Sequence, residues 1–421
     1  MKQLYCFLLV FAISSVSNAQ TGYLLRPERV FDGQAMHDNW VVWTQGTKIM
    51  AAGEAESLPD ESRQAESIEF PGATLLPGLI EGHSHLFLHP YDETSWNDQV
   101  LKEPRSFRTA RAVKSAEQTL LAGFTTVRDL GTEGAEYDDV GLKKAIDEGI
   151  IPGPRMIVAT RALIASGSYG PNGFSSDFAV PQGAEEADGH DNLIRAVRTQ
   201  IGKGADLIKI YADYRWGPNG EARPTFSEEE IRLIVETARS SGRPVVAHAS
   251  TAEGMRRAIN GGVETIEHGD GGTADIWKIM KDKKVALCPT LAAGDAISQY
   301  RGWRKGRDPE PARLTEKRKS FKQALDAGVT IVMGGDVGVY SHGTNVREMI
   351  LMVDYGMKPL DVLKSATSGN ARIFHQETRI GAIQPGLLAD LIVVSGNPAM
   401  DISAIGKVEM VMKDGKIFKK H

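Results

Sequence analysis

The chain has 421 residues, of which 41% are hydrophobic, 24% charged and 7% aromatic, a composition that excludes disordered, collagenous and multi-span membrane chains. Its 49 basic and 54 acidic residues leave a net charge of −5, and no Lys/Arg run of the kind that tracks phosphates stands out, which speaks against a nucleic-acid partner. At roughly 100–200 residues per domain the length allows two to four domains, or one large barrel with a smaller companion.

At the N-terminus, Lys2 precedes an apolar run from Leu4 to Val16, and Ser17-Asn18-Ala19 supplies small residues where a signal peptidase reads. A run of about 13 residues falls short of the roughly 20 needed to span a bilayer. Residues 1–19 are therefore expected to be a signal peptide cleaved after Ala19, giving a secreted or periplasmic protein with no stable membrane anchor. Cys6 leaves with that segment, and Cys288 alone cannot close an intrachain disulfide, so stability must come from the size of the core.

Short strands follow: Tyr23–Arg26, Trp40–Thr44, Lys48–Ala52 and Ser67–Phe70, punctuated by glycines and Asp/Pro clusters. The C-terminal end has the same character, with Ala389–Val394, Val408–Met412 and Lys416–Phe418 separated by turn signals such as Lys413-Asp414-Gly415. Between the ends, eight apolar runs alternate with stretches of helical period: Leu75–His85, Thr125–Arg128, Met156–Ala159, Leu207–Ile210, Val245–His248, Thr265–His268, Val285–Cys288 and Thr330–Met333. Eight such β-α units close a barrel. The clearest helix starts at Ser227, an N-cap followed by Glu228, Glu229 and Glu230 in the first turn.

The expected fold is α/β: a (β/α)8 TIM-like barrel over residues 76–375, with a small β-sandwich domain made from both chain ends, 20–75 and 376–421. Neither end has enough strands to be stable alone. Forty-four glycines, above the average of roughly 7%, fit many tight turns, and Gly82, Gly269, Gly334 and Gly335 stand beside the residues that carry the chemistry.

His83-Ser84-His85 closes the first barrel strand, and residues i and i+2 of a strand point the same way. His248 ends the fifth strand, His268 the sixth, and Asp336 follows the eighth after Met333-Gly334-Gly335. In a barrel these ends share the face where catalytic residues are found. Four imidazoles and a carboxylate suit Zn²⁺, with Mn²⁺ or Fe²⁺ as alternatives; singly, each histidine also reads as a hydrogen-bonded structural residue. Lys209 lies within the apolar strand Leu207-Ile208-Lys209-Ile210-Tyr211. It is open to three readings: an ion pair, an outward-facing exposed lysine, or a neutral amine carbamylated by CO2.

The constellation His83-x-His85, Lys209, His248, His268 and Asp336 resembles the metal-dependent amidohydrolase superfamily, specifically its imidazolonepropionase-like branch with Xaa-Pro dipeptidases (prolidases). Supporting motifs run over nearly the whole mature chain: Leu76-Pro77-Gly78-Leu79-Ile80-Glu81-Gly82-His83-Ser84-His85, Ile266-Glu267-His268-Gly269, His342-Gly343-Thr344-Asn345-Val346-Arg347-Glu348, Ala366-Thr367-Ser368-Gly369-Asn370-Ala371 and Gly381 to Leu391. The resemblance implies a binuclear centre of two divalent metal ions, zinc first among them. One is held by His83, His85 and Asp336 and the other by His248 and His268, with a CO2-derived carbamate on Lys209 bridging them. Water shared by two divalent cations supplies hydroxide near neutral pH, and Asp336 then shuttles its proton to the leaving amine.

The implied substrate is a small molecule or dipeptide, cleaved at its amide bond in the manner of an Xaa-Pro dipeptidase or an N-acyl amino acid hydrolase. His342 is a candidate for orienting it, against the reading of a loop histidine bonded to backbone. Arg215 and Tyr214 are placed to hold a substrate carboxylate, and Tyr169, in Ser166-Gly167-Ser168-Tyr169-Gly170, to sit over the same pocket. Related dipeptidases tend to carry a glycine- and histidine-rich loop after the third strand and small residues after the lysine. This chain has Ser168-Tyr169-Gly170-Pro171 and Tyr211-Ala212-Asp213-Tyr214-Arg215-Trp216 instead. A cyclic-amide or lactone hydrolase is the second hydrolytic reading, and an exported non-catalytic binding module the reading from another class. Such a module should have lost a ligand, and all six are present. Imidazolonepropionase activity itself is disfavoured by the export signal and by the bridging lysine. A homo-oligomer is compatible with the sequence.

Overall fold

The computed structural model describes residues 22–175 and 177–420; the expected signal peptide lies outside them. Both chain ends enter one eight-stranded mixed sheet. Gly22–Phe31 pairs antiparallel with Trp40–Gln45 and parallel with Glu66–Pro77, which pairs antiparallel with Leu391–Ser395. Val408–Lys413 and Lys416–Lys420 complete that edge.

This sheet replaces the expected two-sheet sandwich. Leu391, Ile392, Val393 and Val394 are all fully buried, the continuous apolar run of a strand covered on both faces. Ile392 and Val394 pack with Leu76 into the barrel core, whereas Leu391 and Val393 join Leu25, Ile49, Phe70 and Met410 in a separate core. The strands of that second core all belong to the same sheet, which curves around its own apolar residues instead of facing another sheet.

Residues Leu75–His85, expected as one strand, divide at Gly78. Glu66–Pro77 belongs to the terminal sheet and Leu79–Ser84 to the barrel; a Cβ on Gly78 would stand 2.1 Å from Thr125 Oγ1, closer than any side chain allows. Leu79–Ser84, Phe124–Asp129 and Arg155–Val158 form a parallel sheet. Leu163–Ile164, Ile208–Tyr211, Val245–Ala249, Thr265–His268 and Ala286–Cys288 lie in a second one. The ladder does not close. The eighth run, Thr330–Met333, is not a regular strand: it makes one bridge, Ile331 to Leu287, and Val337 makes another to Ser84.

Asn370 braces this run. Its side chain accepts from the Met333 N–H (3.1 Å) and donates to the carbonyls of Met333 (2.8 Å) and Ile80 (2.9 Å). This one side-chain amide thus takes the Met333 N–H and shares the Met333 carbonyl with the Gly82 N–H (3.0 Å), holding the run between its neighbours where few backbone bonds do so. The helix expected after Ser227 is present as Glu228–Arg239, with a capping box in which Ser227 Oγ accepts from Glu230 N–H and Glu230 accepts from the Ser227 N–H.

Candidate active site

Parallel pairing puts the ends of the strands at one mouth, and the four histidines meet there. The ring centroids of His83 lie 5.3 Å from His85 and 5.2 Å from His268, and His268 is 4.4 Å from His248. Asp336 Oδ1 stands 3.4 Å from His85 Nε2 and 3.6 Å from His83 Nε2. Donor atoms of His83, His268 and Asp336 lie within 4.8 Å of one another.

The other ring nitrogen of three of these histidines is held from behind. His83 Nδ1 pairs with Glu267 Oε2 (2.9 Å), His85 Nδ1 with the Gly131 carbonyl (2.8 Å) and His268 Nδ1 with Thr290 Oγ1 (2.8 Å). Such bonds set tautomer and ring direction, leaving Nε2 free to ligate. His248 stacks on Tyr211, with centroids 4.7 Å apart, and its Nε2 is 3.7 Å from Asp213 Oδ1. Burial, then the nearby Lys209 amine, pushes His248 down to about 3 and holds His83 well below the ordinary histidine range. His248 and His83 are therefore neutral, as metal ligands must be.

Lys209 is 1% exposed, which removes the outward-facing reading. Its amine lies 5.4 Å from the Tyr211 ring centroid and makes no ion pair among the described residues. Burial lowers its pKa, enlarging the neutral fraction that can take up CO2. Asp336 shifts the other way, raised by burial against the pull of His85 and Lys209. Both Asp336 (φ 62°) and His268 (φ 74°) occupy the left-handed region, backbone strain of the kind found at functional sites.

Sequence reading missed the supports. Glu81 accepts from the backbone N–H of His83 (3.0 Å) and Gly335 (2.8 Å) and from Asn345 Nδ2 (2.9 Å), tying the first strand to the Asp336 turn. Gly334 allows that approach, since a Cβ there would meet His83 N at 2.8 Å. Glu267, behind His83, also receives Arg128 Nη2 (2.8 Å), and Arg128 Nε donates to the Gly82 carbonyl (2.7 Å). In the sequence these are unremarkable charges in apolar strands. A buried charge needs a partner, so Glu81, Arg128 and Glu267 in three different strands were the available signal.

Above the histidines lies a cleft of about 380 Å³, at the low end of the roughly 300–1,000 Å³ typical of small-molecule sites. Tyr169, Tyr214 and Arg215 line it, as do Tyr91, Tyr211, Glu133, Asp270, Arg313 and Lys317. Arg215 is exposed and makes no ion pair among the described residues, whereas Arg313 and Lys317 are paired with Asp270. His342, expected to orient the substrate, is not among the residues that line the cleft. Its Nε2 bonds the Leu88 carbonyl at 3.2 Å, so it is the loop histidine bonded to backbone, and it steadies the chain after His85.

The donors fit a metal centre: imidazoles with oriented lone pairs, a carboxylate, and an unpaired buried amine. Such a set can polarise a carbonyl and transfer a proton beside it. The sequence profile of the amidohydrolase family matches residues 74–418, and the chain belongs to that family. It is 28% identical to ochratoxinase from Aspergillus niger, over 92% of this chain and 84% of the relative. A solved Xaa-Pro dipeptidase with methionine bound in its active site superposes with a TM-score of 0.82 at 30% identity, over 95% of this chain and all of the other. A prolidase complexed with N-methylphosphonate-L-proline gives 0.80 at 27%, again over 95% and 100%. The protein is thus a hydrolase of carbon–nitrogen bonds, from a family that is typically metal-dependent. No helix among the described residues is long and apolar enough to cross a membrane.

Proposed function

We propose that this amidohydrolase is exported after loss of residues 1–19 and cleaves the amide bond of dipeptides, Xaa-Pro among them, or of N-acyl amino acids. The observation that carries the proposal is the cluster of buried histidines around Asp336 beneath a small cleft lined by Arg215. The similarity to an Xaa-Pro dipeptidase with methionine bound supports an amino-acid-sized site.

In this reading His83, His85 and Asp336 would hold one divalent cation, and His248 and His268 a second. A carbamate on Lys209 would complete the donor set, and zinc is the metal that such nitrogen and oxygen donors suit. When bound, the cations supply a Lewis acid for the scissile carbonyl and a hydroxide at neutral pH. The protein's own residues do the rest. Asp336, raised by burial, accepts a proton at its carboxylate and delivers it to the leaving nitrogen. Arg215 receives the carboxylate of the leaving amino acid by a bidentate pair, and Tyr169, Tyr211 and Tyr214 exclude water from one wall.

Metal analysis combined with a substrate panel tests this. About two metal equivalents per chain are expected, with turnover of dipeptides or N-acyl amino acids that is lost on chelation and restored by zinc. Cleavage of lactones with no dipeptide or N-acyl amino acid cleaved would overturn the proposal. Absence of metal after metal-replete expression would turn it toward a binding module.

A further inference from the structure

Glu133 is a buried carboxylate in the cleft wall, 2% exposed, that the hydrolytic machinery leaves unused. Its Oε2 accepts from Trp96 Nε1 at 2.9 Å and from the Tyr169 hydroxyl, and its Oε1 accepts from the Tyr211 hydroxyl at 3.2 Å. All three donors are neutral. Arg108, the adjacent cation, spends its guanidinium on the backbone carbonyls of Phe87, Thr132 and Glu133, and no ion pair to the Glu133 carboxylate exists among the described residues. A buried carboxylate held by hydrogen bonds but lacking a cation is electrostatically incomplete.

Its position says what would complete it. A point one bond from the Gly131 α-carbon lies 3.6 Å from Glu133 Oε1 and 3.9 Å from His85 Cε1. Through Tyr211, which stacks on His248, the same carboxylate touches the other side of the histidine cluster. Glu133 therefore stands beside the histidine cluster at the wall of the cleft, where the α-substituent of an acyl group would come to lie. Arg215 lines the same cleft with the opposite charge.

We infer that Glu133 binds the α-ammonium of the substrate, so that this protein acts on dipeptides with a free N-terminus and discriminates against N-acyl amino acids. The inference rests on the amide-hydrolase reading above and narrows it. A carboxylate whose ligand lacks the expected cation stays buried and unpaired, which is the arrangement that gives large discrimination.

The test uses pairs that differ only in the ammonium: alanyl-proline against propionyl-proline, and alanyl-phenylalanine against propionyl-phenylalanine, with the metal-loaded enzyme. The dipeptide of a cleaved pair is expected to exceed its partner in kcat/KM by about 100-fold, and Glu133→Gln to shrink that ratio at least tenfold at unaltered metal content. A wild-type ratio near one, a ratio that survives in the variant, or loss of metal from the variant overturns the inference while leaving amide hydrolysis standing. The wild-type ratio needs no variant to fold. If none of the four amides is cleaved, the proposed substrate classes fail. Calorimetric Kd values for the same pairs then decide the ammonium site separately, equal values overturning it and tighter dipeptide binding supporting it.

Discussion

The two ends of the barrel solve opposite problems with the same kinds of residue. At the mouth, burial lowers the proton affinity of His83, His248 and His268 and holds them neutral, and Asp336 and His268 sit in a strained backbone conformation. At the far end, Arg155 opens its strand and reaches across to the terminal sheet, pairing with Asp390 (3.3 Å) and Asp414 (2.7 Å). The larger hollow, about 970 Å³ and lined by Arg155, Asp206, His375 and Lys416, lies at that end. Among the described residues, no set of three potential metal donors faces it. Volume is therefore a poor guide here, and the state of the ionisable groups a better one: perturbed and available at the mouth, paired at the seam. The division matches the general split of such barrels into a catalytic and a stabilising face.

Substitutions at the mouth should act first on turnover and metal binding. The largest effect is expected from Asp336→Asn, which keeps the shape and removes the proton carrier. Loss of kcat by about 10³-fold with an unchanged circular dichroism spectrum is expected, and near-normal turnover would sink the proton-transfer role. Glu267→Gln comes next, because it both loosens His83 and strips Arg128 of its counter-ion. Metal affinity should fall about 10- to 100-fold, read as metal lost on dialysis against a chelator. Full retention would mean that His83 needs no orienting partner. Arg215→Ala acts on binding alone: KM for dipeptides should rise about tenfold with kcat nearly constant, and an unchanged KM would remove the carboxylate contact.

Much of the mouth was legible in the sequence because strand ends bear chemistry in short, recognisable spacings: His83-x-His85 on one strand, His248 and His268 one unit apart, Asp336 after Gly334-Gly335. The structure brings all of them together with Lys209. What was not legible depended on contacts between distant segments. Asn370 braces the eighth run from 37 residues away in the chain, and no local pattern at Thr330–Met333 announces it. The sandwich was expected from a count of strands, but strand count does not say which strands share a sheet; the run Leu391–Val394, apolar on both faces, was the clue. His342 belongs to a motif of the family, yet motif membership places a residue in the chain and not in the cleft. Glu133 escaped notice because a lone glutamate after a strand reads as solvated until Trp96, Tyr169 and Tyr211 are seen around it.

The seam offers the contrast with the smallest expected effect on turnover. Arg155→Ala leaves the fully buried Asp390 carboxylate without its cation. Breaking such a pair costs about 3 kcal/mol or more of stability, while kcat/KM, measured well below the melting temperature, should not change. The pH dependence follows from the direction of the Asp390 shift. Burial raises its pKa above the ordinary aspartate value, and Arg155 is the main opposing influence. A carboxyl whose folded pKa exceeds its unfolded one binds its proton more tightly when folded, so stability falls as pH rises between the two values. Removing Arg155 raises the folded value further and widens that interval. Urea denaturation should therefore show the variant's deficit growing from mildly acidic to neutral pH, where Asp390 must be buried as an unpaired anion. A deficit independent of pH would assign the loss to packing of the arginine stem, and a fall in kcat/KM at unchanged stability would erase the distinction between the two ends.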